Sequence, residues 1–290
     1  MSDLLAMLDG LEEPDRETVL RAPFGYPGGK SRLAKKIAGI LPYRDTYVEP
    51  FGGSGAVLLA RRPSKLDVYN DRYGGVVAFY RCLKSDTKWR DLSALMKASI
   101  HSREEWVFCK ETWEHNTADD VERAYRWIYM HAYSFGQLGR NFGRSTSGSG
   151  TLSGKLRERS AEMHGLHERL RKVQIENQDW QQCIHDYEND RAVFYCDPPY
   201  LECVPGIYTG GFQYGDHVKL LDWAFSTPAY VAISSYPNKL YDGRDWDEVI
   251  ELGELHLSLK SLAYTSTNSK ESLKGLETRG TAKEVLYIKE

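Results

Sequence analysis

The sequence predicts an α/β protein, a doubly wound sheet interrupted by a mostly helical insertion. Three observations carry this. Short apolar runs of strand length alternate with stretches whose apolar residues recur at helical spacing. The first strand runs into a glycine-rich turn before a helix, and the second ends at Asn70-Asp71. A later run, residues 192–196, is apolar throughout and gives way to Asp197-Pro198-Pro199-Tyr200, as a buried strand gives way to a loop.

The elements follow in order. Residues 1–20 are an acidic, weakly amphipathic appendage with Leu4, Leu5, Met7, Leu8 and Leu11 at the spacing of a short helix. Residues 21–30 are punctuated by Pro and Gly and read as a loop. Ser31 is placed to cap a helix with Leu33, Ile37, Ile40 and Leu41 on one face, stopped near Pro42. A strand at 47–49, a turn at 50–55, a helix at 56–61, a strand at 66–69 and a helix at 73–83 open the sheet. Residues 86–135 read as helical and hold Trp89, Trp106, Trp113 and Trp127. Gly136, Gly139, Gly143, Gly148, Gly150 and Gly154 then alternate with Ser, Thr and Arg in a long loop, and 156–170 returns to helix. Strands at 172–176, 191–196, 230–234, 247–252 and 284–288 complete the sheet, with helices after Trp180 and at 216–225. Residues 201–215 are a Gly- and Tyr-rich loop, and 265–281 are polar. The organisation expected is an appendage (1–20), a sheet domain (21–85 and 166–290) and a helical insertion (86–165).

Composition sets limits. A hydrophobic content of 41% and a charged content of 27% over 290 residues suit an ordinary globular chain of one large or two modest domains. No apolar run approaches the ~20 residues of a membrane span, and the start lacks a secretory pattern. The five cysteines are odd in number and form no CxxC pair, which disfavours a disulfide framework or a zinc site and suits a reducing cytoplasm. Net charge is −3, yet residues 121–175 hold ten Lys/Arg against four Glu, a local +6, whereas 1–20 hold six acids against Arg16. That asymmetry fits an anion-binding face as well as it fits a solvated helix surface.

Three motifs carry chemistry. In Glu49-Pro50-Phe51-Gly52-Gly53-Ser54-Gly55, glycines at a strand–helix turn let backbone approach a ligand closely. The G-x-G-x-x-G spacing is absent, and an acid before the turn disfavours pyrophosphate and favours a cationic or hydroxyl-bearing ligand. Asp71 stands where an acid bonds a ribose hydroxyl. Gly25-Tyr26-Pro27-Gly28-Gly29-Lys30-Ser31 is one residue short of a phosphate loop and precedes the first strand, so Lys30 is better matched to a carboxylate. In Asp197-Pro198-Pro199-Tyr200, a carboxylate and a proline carbonyl can accept both N–H groups of a planar amine, and Tyr200 offers a ring face. Accepting both hydrogens enriches the nitrogen as a nucleophile toward an electrophilic methyl.

Taken in this order, FGYPGGK, EPFGGSG, Asn70-Asp71 and DPPY resemble the Dam-like, alpha-class DNA adenine-N6 methyltransferases, over about residues 22–289. The resemblance implies a Rossmann-like fold that binds S-adenosylmethionine, releases S-adenosylhomocysteine and needs no metal. It implies that Tyr26, Gly28, Gly29, Lys30, Glu49, Phe51, Gly52 and Ser54 lie at the methionine end, Lys30 near the carboxylate. Asp71 is implied on the ribose diol, and Asp179 and Trp180 on the adenine. Asp197 and the Pro198 carbonyl are implied to hold the target N6, with Pro199 rigidifying the turn and Tyr200 stacked on a flipped adenine. Double-stranded DNA is the implied partner, in the cytoplasm of a bacterium or a phage-infected host. Residues 133–144 resemble the recognition hairpin of that family only loosely, so no target sequence is implied. Gln137 and Asn141 are candidates to read base edges, and Arg140, Arg144, Lys155, Arg157 and Arg159 to hold phosphates. An RNA adenine methyltransferase would use the same pocket, and a non-catalytic DNA-binding protein would not need its acids. The sequence leaves the oligomeric state open.

Overall fold

The computed structural model describes residues 20–26, 28–114, 119–144, 154–201, 212–256 and 281–290. The expectations for 1–19, for the glycine-rich stretch 145–153 and for the loops at 202–211 and 257–280 lie outside the described residues. The elements are α1 (Ala34–Ile40), β1 (Thr46–Glu49), α2 (Ala56–Ala60), β2 (Leu66–Asn70), α3 (Gly74–Lys84), α4 (Lys88–Ala98), α5 (Arg103–Thr112), α6 (Asp120–Ala132), α7 (Lys155–Ser160), α8 (Met163–Leu170), β3 (Val173–Glu176), α9 (Trp180–Tyr187), β4 (Ala192–Cys196), α10 (Tyr214–Ala224), β5 (Tyr230–Ser235), α11 (Lys239–Asp242), β6 (Glu248–His256) and β7 (Thr281–Lys289).

The described strands form one sheet in the order β3-β2-β1-β4-β5-β7-β6. The first five of these run parallel to their neighbours, and β7 lies antiparallel between β5 and β6. Parallel strands are covered on both faces, and these are: β4 and β5 are buried at every position. Alternate residues serve opposite layers. Val193 and Tyr195 of β4 join a cluster with α1 through α8, whereas Ala192, Phe194 and Cys196 join one with α9, α10 and α11. The insertion therefore shares its core with the first face of the sheet. Trp127 of α6 is fully buried against Phe24, Tyr73 and Phe79.

Some local expectations are corrected. Ser31 does not cap α1; its N-cap position is Leu33, whose N–H bonds the Lys30 carbonyl in a turn before the helix. Residues 156–170 are two helices, separated at Ala161 and Glu162. The short α11 was not anticipated; Asn238 caps it by accepting from the N–H groups of Leu240 and Tyr241. Cys82, Cys109, Cys183 and Cys196 are buried free thiols.

Candidate active site

Strand order reverses between β1 and β4, which lead to opposite halves of the sheet. A ligand crevice is expected there, outside the carboxyl ends of the strands. The acids converge on it: Glu49 ends β1, Asp71 follows β2, Asp179 follows β3 and Asp197 follows β4. They line a cavity of about 320 Å³ together with Trp180 and Phe212.

Backbone bonds build one end of this cavity. Asn70, fully buried, donates to the Pro50 carbonyl (2.8 Å) and the Gln178 carbonyl (3.2 Å) and accepts from the Gln178 N–H (2.9 Å), tying the ends of β1, β2 and β3 together. Asp71 accepts from the N–H groups of Gly53 (2.8 Å) and Tyr73 (2.7 Å), which closes the glycine turn. Tyr69 and Tyr80 donate from their hydroxyls to the carbonyls of Gly53 (2.7 Å) and Ser54 (2.6 Å). Glycine is required at position 52, because a Cβ there would stand 2.3 Å from the Tyr69 ring. Burial pushes the Asp71 carboxyl up to about 6 and Glu49 up to about 8, even though Tyr47 donates to Glu49 at 2.6 Å. Phe51 stacks on Trp180 with ring centroids 5.9 Å apart, and Phe212 packs edge-on to both, so the three rings form an aromatic wall of the cavity. Asp179 caps α9 through the Gln181 N–H (3.0 Å) and keeps its other oxygen 3.8 Å from Arg72.

Side chains build the other end. Lys30, 6% exposed, donates to Asp197 Oδ1 and Oδ2 (2.7 Å each), to the Gly28 carbonyl (2.8 Å) and to Glu284 Oε1 (3.0 Å). Burial alone would lower the Lys30 pKa, but the two carboxylates outweigh it and hold the ammonium above its ordinary value. Expected beside a cofactor carboxylate, Lys30 thus pairs with protein carboxylates, as a buried ammonium must. Ser234 donates to Asp197 Oδ1 (2.9 Å) and lies 3.1 Å from the Tyr195 hydroxyl. Tyr200 donates to Glu284, meets Tyr236 edge-on and lies 5.0 Å under the Lys30 ammonium. Pro198 is buried, and the half-buried Pro199 lines the cavity beside Asp197.

The insertion reaches the site through residues 135–141, a tight loop closed by the Ser134–Phe142 bridge and the Phe135 N–H to Asn141 carbonyl bond. Gly136, Gln137 and Gly139 all take positive φ there. Gln137 is not free to read a base edge with its carboxamide oxygen, which accepts the Gly25 N–H at 2.9 Å and so ties the insertion to the Lys30 loop. Tyr26 packs over the glycine turn, 3.1 Å from where a Gly53 Cβ would be. Arg140 lines the cavity, and His131 beside it is buried with its pKa pushed down by burial. Among the candidate phosphate ligands, Arg144 and Arg157 are exposed. Lys155 and Arg159 are half-buried; Lys155 donates to the Ala132 carbonyl, and burial pushes it down to about 8.

Asn70 enters the sequence reading only beside Asp71, and Ser234 only at the head of 234–238, a stretch that resembles a later strand motif of the family near the site; Glu284 is not picked out as a site residue. Glu284 did leave a signal, as an acid opening the otherwise apolar run 285–288 of a closing strand.

A seven-stranded α/β sheet with this strand order and a glycine turn after its first strand is the fold of a Rossmann-like methyltransferase. The family model for D12 class N6 adenine-specific DNA methyltransferases matches residues 26–254, and the chain belongs to that family. It is also similar to DNA adenine methylases of two Vibrio cholerae O1 strains, classical Ogawa 395 and El Tor Inaba N16961. Each is 26% identical over 235 residues, covering 74% of this chain and 79% of the relative. Among the described residues, no helix is long and apolar enough to cross a membrane.

Proposed function

We propose that the protein transfers a methyl group from S-adenosylmethionine to N6 of an adenine turned out of duplex DNA, by direct in-line displacement. The observation that supports this best is Asp197, which follows β4 at the strand switch point and lines the cavity. Asp197 and the Pro198 carbonyl accept the two N–H groups of the target amine, and proline brings no competing donor. The cavity suits the donor. Asp71 keeps unused lone pairs for a ribose diol, Phe51, Trp180 and Phe212 flank an adenine, and the glycine turn admits close backbone contact. When bound, S-adenosylmethionine supplies a methyl on a sulfonium, and the product is S-adenosylhomocysteine. The protein's own contribution is positioning and polarisation, without a covalent intermediate. Turning a base out costs a few kcal/mol, roughly, of which stacking on the Tyr200 ring returns ~1–3. Arg144 and Arg157 are the exposed cations best placed to meet phosphates.

The test is transfer of a labelled methyl group to unmethylated duplex DNA, with N6-methyladenine identified by mass spectrometry and structured RNA as the parallel acceptor. Absence of N6-methyladenine from the DNA, or full activity of Asp197→Ala, overturns the reading. Preference for RNA redirects it.

A further inference from the structure

Glu284 is the one charged residue of this network that is fully buried, at 0% exposure. Its Oε1 accepts from Lys30 and Tyr200, and its Oε2 has no partner among the described residues. A carboxylate oxygen buried without a partner is costly, so it calls for an occupant. Asp197 has the opposite condition. Its two oxygens offer about four acceptor positions, and three are taken, two by Lys30 and one by Ser234. An acceptor so engaged by an ammonium has little charge left with which to polarise an amine.

We infer that Glu284 is the second seat of Lys30. As the target amine arrives, the ammonium leaves Asp197 and takes both oxygens of Glu284, and Asp197 meets the amine as an unpaired carboxylate. The move is short, because Lys30 Nζ is already 3.0 Å from Oε1. No charge leaves the cluster: one ammonium and two carboxylates hold a net −1 in either seating, which suits positive charge passing from sulfur to nitrogen. Glu284 is thus a positioning residue acting through Lys30, and the inference rests on the reading above that Asp197 accepts the target amine.

The experiment compares wild type, Glu284→Gln and the double variant Glu284→Gln/Lys30→Met at saturating S-adenosylmethionine. Glutamine keeps the shape of Glu284 but cannot compensate an ammonium, so Lys30 stays on Asp197. Expected is a fall of about ten- to a hundredfold in kcat/KM for duplex DNA, the effect of losing a charged hydrogen bond. S-adenosylhomocysteine affinity by calorimetry should stay within about twofold, which also certifies the fold. The double variant should be more active than Glu284→Gln alone, since removing the competitor frees Asp197. A double variant no more active than the single one, or a single variant that loses cofactor affinity in step with rate, overturns the inference. Wild-type transfer to DNA is the separate check on the underlying reading.

Discussion

The two ends of the cavity are held in place by different kinds of bond. At the glycine-turn end, Asp71 is fixed by two backbone N–H groups, and Asn70 pins three strand ends to backbone atoms. At the Asp-Pro-Pro-Tyr end, among the described residues, Asp197 is held by the side chains of Lys30 and Ser234, and Tyr200 by that of Glu284. Backbone partners cannot move without unfolding the turn, whereas side-chain partners exchange by rotation. The first end is therefore preorganised for a ligand of fixed shape, and the second can change partners when a base enters.

Substitutions can break this comparison, beginning with the largest effect. Asp197→Ala should lower the single-turnover rate of methyl transfer by about two to three orders of magnitude, the range for losing one electrostatic partner of a reacting group. Its affinity for S-adenosylhomocysteine should be unchanged; a parallel loss would show that the two ends are not separable. Glu49→Gln tests burial beneath the turn. Folding raises the Glu49 pKa from 4.5 to about 8, so the folded state holds the proton more tightly. The stability this gives is full below about 4.5 and is lost as pH rises to about 8. Chemical denaturation of Glu49→Gln, which cannot ionise, should show a flatter pH profile and a gain at pH above 8 on the order of a few kcal/mol.

The preorganised end has its own pH signature. With Asp71 raised to about 6, the carboxyl takes up a proton as pH falls through that value. S-adenosylhomocysteine affinity, measured by calorimetry, should then fall by about tenfold per pH unit, and Asp71→Asn should remove the step while weakening binding about ten- to a hundredfold. The smallest effect is expected in the insertion. Arg157→Ala should weaken DNA binding similarly for all sequences and reduce the salt slope by about 1, as loss of one phosphate contact does. Lys155→Ala should change the slope less, because Lys155 is half-buried on the Ala132 carbonyl.

The sheet was legible because its strands are buried on both faces, which leaves apolar runs such as 192–196 that no other element explains. Glu49, Asp71 and Asp197 were legible for a related reason: an acid ending such a run is out of place unless it serves a site. Partnerships were not legible. Lys30 and Glu284 are 254 positions apart in sequence, and only the insertion of β7 between β5 and β6 brings them together. In the insertion, helices were visible but their use was not. Gln137 has the chemistry to read a base, yet its left-handed backbone turns its carboxamide onto Gly25.

The position of β7 also bears on how the molecule comes into being. A ribosome delivers Lys30 well before Glu284, and β6 cannot join the sheet until β7 has come between it and β5. Until that strand docks, Lys30 and Tyr200 lack their shared carboxylate, and the edge of β5 is bare. Nascent or truncated chains that stop short of β7 should hold a formed glycine turn but an unfinished acceptor, able to bind a donor well before they can modify anything.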